Sequence, residues 1–225
     1  MKVLLLSHTP DPERVVVCAA KLCYSSLDIS EIYEKKNESD FEFIRKLIKL
    51  GHESPFEHIS FTFGIEGVSR VFLAQLTRHR IASYSVRSQR YVKEENFSFV
   101  IPPEILNFPE AKREFEKAAE ASRIAYEKIT KILNDNNENS EKKSIEDARY
   151  VLFGAMETKI VCTFNARSLL NFFKLRTCKR AQWEIRDVAS EMLRLVKKVA
   201  PNVFSNSGPP CIQGACNQGK MGCKK

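Results

Sequence analysis

Apolar positions along this chain switch between the two-residue period of strands and the 3.6-residue period of helices. The opening MKVLLLSHTPDPE carries a four-residue apolar stretch ending at Leu6 and reads as a first strand. Residues 12–25 form a short helix with Pro12 near its start. From Asp40, the positions Phe43, Ile44, Leu47 and Ile48 have helical spacing and stop at Gly51, as a C-terminal glycine should. Strict alternation follows, with Ile59, Phe61, Phe63 and Ile65 on one side and Ser60, Thr62, Gly64 and Glu66 on the other. That is a half-buried strand. Val71, Phe72, Gln75 and Leu76 predict a helix running into Arg78, and the stretch from Arg80 to Tyr91 lacks a clean period and reads as a structured loop.

The second half repeats the theme. Phe115, Ala118, Ala119, Ser122, Tyr126, Ile129 and Leu133 share one stripe of a long amphipathic helix. The polar run from Asn134 to Lys143 predicts a solvated loop, and Ser144 with Asp147 resembles a capping box that starts a helix through Arg149. Thr158 to Phe164 reads as a strand and Ser168 to Leu175 as a helix. Ile185, Val188, Met192, Leu195 and Val199 define a last amphipathic helix. The expected fold class is α+β: a mixed antiparallel sheet flanked by helices, with helices outnumbering strands. One domain is expected over residues 1–204, followed by a Cys/Gly/Pro-rich flexible tail over 205–225.

Composition narrows the class. The chain has 225 residues, 43% hydrophobic and 28% charged, enough to bury a core in one domain. No apolar run approaches the length of a membrane span, and the opening stretch is too short for a signal peptide, so a cytoplasmic protein is expected. Seven cysteines, an odd number spread through apolar or mixed segments, read as reduced thiols. The net charge of +8 points to phosphorylated small ligands, nucleic acid or an acidic membrane surface. Its distribution chooses among them. Arg70, Arg78, Arg80, Arg87 and Arg90 crowd one stretch, and all are arginine. A sliding surface for duplex DNA tolerates lysine equally well, whereas clustered arginine favours a bidentate grip on phosphate or carboxylate.

The densest chemistry lies in TRHRIASYSVRSQRY, Thr77 to Tyr91: Arg78, His79, Arg80, seven residues, then Ser88, Arg90 and Tyr91. Read bare, it offers guanidinium donors, an imidazole and hydroxyls able to hold a phosphate and hydrogen-bond a planar heterocycle. Any single arginine here reads more simply as a surface ion pair; the cluster in this order does not. Arg-His-Arg, seven residues, Ser resembles the signature of flavin-dependent thymidylate synthases. The likeness runs from about Gly51 to Pro201 and includes GHESPFEHISFTF upstream. Downstream it includes EDAR at Glu146 to Arg149, NARSLLNFFKLR at Asn165 to Arg176, and AQWEIR at Ala181 to Arg186. Metal is a rival reading of GHESPFEH, but its histidines are six apart with Pro55 between them, so they do not share a helix face as zinc-protease histidines do.

The resemblance implies reductive methylation of dUMP to dTMP in a homotetramer. FAD is the implied cofactor, with NADPH and 5,10-methylenetetrahydrofolate as co-substrates, and neither nucleic acid nor membrane is a partner. It implies FAD contacts at Ser54, Arg78, His79, Arg80, Val86, Asn165, Arg167 and Asn171, with His52 a weaker candidate near the isoalloxazine. It implies nucleotide contacts at Gln75, Arg78, Arg87, Ser88, Gln89, Arg90, Arg149 and Arg176. Arg176 is the implied catalytic group, facing the pyrimidine edge where negative charge develops.

No cysteine has an activating context; Cys162, among apolar strand neighbours, reads as packing. Ser88 lacks a neighbouring base and is assigned to binding. Four positions depart from many relatives: Ser85 and Val86, where only the backbone of Val86 can hydrogen-bond; Phe153, where proline is expected; and Arg180, where some relatives have histidine. In the tail, Cys211, Cys216 and Cys223 lack tight C-x-x-C pairing, so no metal is assigned. Two rival functions are a nucleic-acid-binding module, for which no recognised motif is visible, and an NADPH-driven reductase using the same site.

Overall fold

The computed structural model describes residues 1–92, 97–136, 141–212, 214–216 and 218–223. In chain order the elements are β1 (Lys2–His8), α1 (Pro12–Leu22), α2 (Ile29–Glu34), α3 (Asp40–Leu50), β2 (Ser60–Ser69), α4 (Arg70–Leu76) and β3 (Ser83–Val86). Then follow α5 (Pro103–Leu106), α6 (Pro109–Asn136), α7 (Glu141–Ala148), β4 (Glu157–Asn165), α8 (Ala166–Arg176) and α9 (Trp183–Val199). The strands form one antiparallel sheet in the order β1-β2-β4-β3. The α+β class, with helices outnumbering strands, is borne out.

The chain divides into two compact units: residues 1–65, 75–84 and 161–225 form the first, and 66–74 with 85–160 the second. In the first, alternation along β2 buries Phe61, Phe63 and Ile65. Antiparallel register with β4 is fixed where the Thr62 and Thr163 hydroxyls lie 2.9 Å apart and the Ala166 N–H donates to the Ile59 carbonyl at 2.9 Å. A chain of ring contacts then runs through the core. Phe61 meets Phe204 at 5.5 Å between centroids, Phe204 meets Phe173, Phe173 meets Phe172, and Phe172 meets Phe164. Each such pair adds about 0.5–1.5 kcal/mol beyond its buried area. These rings tie β2, β4 and α8 into one rigid support. Helix α9 packs on β1 and α8 and buries Ile185, Val188, Met192 and Val196.

Helix α2, which the apolar pattern does not announce, is held from outside itself. Arg14 on α1 donates from Nη2 to the Lys35 carbonyl at 2.9 Å, and also reaches the carbonyls of Ile32 and Tyr33. These are the C-terminal carbonyls a short helix leaves unpaired. Arg14 Nη1 also meets Asp40 Oδ2 at 2.9 Å, and Lys21 Nζ reaches Asp40 Oδ1 at 2.5 Å. Asp40 opens α3, where the helix dipole favours negative charge. Gly51 ends that helix at φ 74°, in the left-handed region where a side chain is strained.

The second unit centres on α6 and α7, with Tyr126, Ile145 and Ala148 buried and Phe97, Ile129, Val151 and Leu152 packed around them. Three expectations are corrected here. Ser144 does not cap α7: the helix begins at Glu141, and the Ser144 hydroxyl is buried within it with no partner among the described residues. The polar run expected as a loop is helical over 134–136 and 141–143, exposed throughout, and its centre lies outside the described residues. The loop expected from Arg80 to Tyr91 contains β3, whose alternating Ser83, Tyr84, Ser85 and Val86 is strand-like but only four residues long. Helix α4 forms as expected with Phe72 and Leu76 buried, although Val71 is exposed. Phe153, unexpected in sequence, stacks on Phe99 at 4.8 Å and meets Phe115 edge-on.

Candidate active site

A cavity of about 1320 Å³ lies within the first unit. Drug-sized ligands occupy about 300–1,000 Å³, so this space admits a dinucleotide. Its walls come from four places: Ile48 of α3 with Glu53 and Glu57 just after it, the Arg78 to Ile81 segment after α4, the start and one face of α8, and Val203, Asn206, Ser207, Gly208 and Pro210 beyond α9. Six of the eight expected flavin contacts line it: Arg78, His79, Arg80, Asn165, Arg167 and Asn171. So does the expected catalytic group, Arg176. Ser54 is exposed at the start of a 3₁₀ turn and Gln75 is half-buried on α4; neither lines the cavity. Val86 and the other nucleotide candidates belong to the second unit.

Local rules place each group. Asn165 caps α8, its Oδ1 accepting the Ser168 N–H at 2.8 Å. Its Nδ2 donors remain for a ligand. Spacings of four and three along α8 put Arg167, Asn171 and Lys174 on one face. Arg167 bonds Glu53 at 3.2 Å and also Glu57. These are the carboxylates that invite a metal reading of the upstream segment, and here they steady an arginine. Arg176, the last residue of α8, donates from Nε to His79 Nε2 at 3.0 Å. The His79 ring stands edge-on to Phe172 at 4.9 Å, and the Tyr84 hydroxyl donates to the His79 carbonyl at 2.6 Å and to the Leu76 carbonyl at 3.1 Å. The aromatic core therefore ends at His79.

Electrostatics follow from burial and crowded positive charge. Burial, then the Arg176 charge, pushes the His79 pKa down to about 4, so its ring is neutral at physiological pH. Burial, then Arg78, lowers the Arg176 pKa from its ordinary value. Burial, then Cys162, raises that of Tyr84, and burial pushes the Cys162 thiol up to about 12. Cys162 is a core thiol, not a nucleophile. The cavity wall carries Arg78, Arg80, Arg167, Lys174 and Arg176 against two carboxylates, Glu53 and Glu57, both engaged by Arg167. Among the described residues the other four cations pair with no carboxylate. Such a wall favours an anionic ligand.

Sequence reasoning missed Lys174 and the Asn206 to Pro210 wall. Lys174 was findable from its helical spacing to Arg167. The wall was not, since its placement depends on a turn after α9. There Gly208 takes φ 150°, where a side chain is strained, and a Cβ would push aside the end of Ile212, whose Cδ1 lies 2.2 Å from its place. Arg180 reaches into the following segment, its Nη1 donating to Gln218 Oε1 at 2.5 Å.

In the second unit, Arg90 Nε meets Glu146 Oε1 at 2.8 Å, which joins the late signature to the Glu146–Arg149 block. The Ser88 hydroxyl accepts the Arg90 N–H at 3.1 Å, and the Arg87 N–H donates to the Lys159 carbonyl at 3.0 Å. Gln89 is buried with Nε2 2.9 Å from Met156 Sδ, and Arg149 sits in a 3₁₀ turn against the Tyr150 ring. No helix among the described residues is long and apolar enough to cross a membrane.

Comparison with known proteins gives the family. The family model described as thymidylate synthase complementing protein matches residues 4–202. A flavin-dependent thymidylate synthase of Clostridium tetani is 52% identical over 233 residues, covering 100% of this chain and 94% of the relative. One from Geobacter sulfurreducens is 50% identical over 228 residues, with coverage of 100% and 94%. A third, from Sulfurisphaera tokodaii, is 45% identical over 217 residues, covering 94% of this chain and 79% of the relative. On a family match over residues 4–202 and relatives 50% or more identical over the whole chain, the chain belongs to the flavin-dependent thymidylate synthases.

Proposed function

We propose that the protein converts dUMP to dTMP, taking a methylene group from 5,10-methylenetetrahydrofolate and reducing electrons from NADPH by way of FAD, and releasing tetrahydrofolate. The observation that carries this reading is the cavity, where family signature residues supply positive charge in excess of the carboxylates around them.

The donor set fits FAD. Arg78, Arg80 and Arg167 offer planar donors suited to a pyrophosphate, Asn171 and the free Nδ2 of Asn165 suit polar ring or ribose edges, and Ile48, Ile81, Leu170 and Val203 supply apolar surface. FAD, once reduced, supplies the hydride. The chain's own residues do the rest by binding and polarisation. Ser54, His79 and the Val86 backbone complete the assigned FAD contacts. Gln75, Arg78, Arg87, Ser88, Gln89, Arg90 and Arg149 are assigned to dUMP. Arg176 places a cation where charge develops on the pyrimidine. Residues 1–204 form the catalytic domain in this reading, with 205–225 appended as a tail.

Tritium release from dUMP labelled at carbon 5, with methylenetetrahydrofolate and NADPH present, tests the activity. Release together with dTMP is expected. NADPH consumption that ignores dUMP would instead mark a general flavin reductase. Cys162→Ala should retain dTMP synthesis, because a thiol held at about 12 is protonated at neutral pH; loss of turnover from a folded variant would restore covalent cysteine chemistry. Arg78→Ala and Arg80→Ala should each weaken flavin binding about 10- to 100-fold, the worth of one charge-assisted hydrogen bond. Flavin titration checks this, and wild-type retention would remove both from the site.

The assembly is a homotetramer with shared sites in this reading, which brings arginines from distant segments around two anionic ligands. Mixing Arg90→Ala with Arg176→Ala should restore some activity if the two reach one pocket from different chains. A fully active monomer in sedimentation would end the idea.

A further inference from the structure

The contact between Arg176 and His79 carries more than an assignment of His79 to the flavin. A guanidinium and an imidazole meet at 3.0 Å, Nε to Nε2, although both are cationic in their protonated forms. The contact exists only if the imidazole is neutral and carries its proton on Nδ1, leaving Nε2 as the acceptor. The surroundings enforce that state. Arg78 and Arg80 flank His79 in sequence, Arg176 approaches from α8 beside Phe172, and the Tyr84 hydroxyl binds the His79 carbonyl rather than its ring.

We propose that His79 is a positioning residue: it holds Arg176 through Nε and leaves both terminal Nη groups of the guanidinium to the substrate. This rests on the reading that Arg176 polarises the pyrimidine. A guanidinium on a long side chain samples many rotamers, and displacement by about 1 Å from productive geometry costs on the order of 100-fold in rate. Phe172 fixes the ring from one side, and the Tyr84 hydroxyl fixes its backbone. The support thus runs from the aromatic core through His79 to the cation. A role as general acid does not fit, because with a pKa of about 4 only about one ring in a thousand is protonated at neutral pH.

Two substitutions separate positioning from direct contact. His79→Leu keeps bulk and removes the acceptor; His79→Gln restores an acceptor oxygen near the place of Nε2. Flavin content, kcat and the KM for dUMP are measured for each. Assayed with flavin saturating, because the ring is also an assigned FAD contact, His79→Leu should lose about 10- to 100-fold in kcat with a smaller change in KM, and His79→Gln should recover most of that loss. Equal impairment in both would assign direct chemistry to the imidazole. Flavin lost from both, with normal kcat per bound flavin, would confine His79 to the cofactor. Unchanged kcat in His79→Leu would remove any role, and each of these results overturns the proposal.

A second readout needs no turnover. The chain has four histidines, so the ¹⁵N spectrum of histidine-labelled protein is assigned by His79→Gln alone. At neutral pH His79 should show the neutral Nδ1–H tautomer, and the signal should shift in Arg176→Ala. An Nε2–H tautomer would rule out the contact. If Arg176→Ala keeps its kcat while the spectrum behaves as expected, the reading of Arg176 fails and the contact stands, so the two failures are distinct.

Discussion

Arg176→Ala should lower kcat for dTMP formation by about 100- to 1,000-fold, the usual cost of removing one preorganised donor aimed at developing charge. The same substitution should leave urea stability unchanged or raised. Folding brings Arg176 out of water and towards Arg78, and both effects depress its pKa, which means that its charge is disfavoured in the folded protein. No carboxylate among the described residues offsets it, and its hydrogen-bond partner there is a neutral imidazole. A group that costs stability where it stands is what a site retained for function looks like. Removing it relieves that repulsion. Arg176→Lys should fall between wild type and alanine, since an ammonium restores charge but not simultaneous contact with His79 and substrate. Steady-state kinetics with flavin content checked on each variant, alongside urea unfolding, decides the matter. Wild-type kcat in Arg176→Ala would withdraw the catalytic assignment.

How far the sequence alone carries depends on how local the cause is. The strand β2 is legible because Phe61, Phe63 and Ile65 alternate with polar residues, and α6 because its apolar stripe persists from Phe115 to Leu133, about five turns. Helix α2 is not legible: ISEIYE is six residues long, and what holds its end is Arg14, up to 21 positions earlier. Strand β3 is too short to separate from a loop by period. Ser144 matches a cap motif, yet the helix had already begun at Glu141, so a local pattern lost to the longer helix. At the site, the candidate residues were readable by type and order, and Lys174 by helical spacing. The link between His79 and Arg176 crosses 97 positions. Neither residue's neighbours in sequence point to the other, because packing of Phe172 is what brings them together.

Asp40→Ala should destabilise the protein by about 3–5 kcal/mol, the cost of leaving a buried charge without its partner. Asp40 and Arg14 are buried together, with side chains 11% and 7% exposed. Arg14 is committed to the carbonyls of Ile32, Tyr33 and Lys35, so it cannot swing into solvent without abandoning the end of α2. Removing the carboxylate therefore strands the guanidinium where it is. It also strips Lys21 of its contact and the Asn37 N–H of its acceptor at 3.2 Å. Lys21→Met should cost far less, about 1 kcal/mol or below, because the Lys21 side chain is 30% exposed, which screens its pairing with Asp40, and Arg14 still neutralises the carboxylate. The double variant Arg14→Met, Asp40→Leu should be more stable than Asp40→Ala alone, since an apolar pair leaves no unpaired charge. It should still fall short of wild type, because the three carbonyls of α2 lose their donor. Urea unfolding of the four proteins gives the ordering directly. An Asp40→Ala midpoint equal to wild type would show that Arg14 finds compensation elsewhere, and would remove Asp40 as the counter-charge that lets an arginine hold α2 in place.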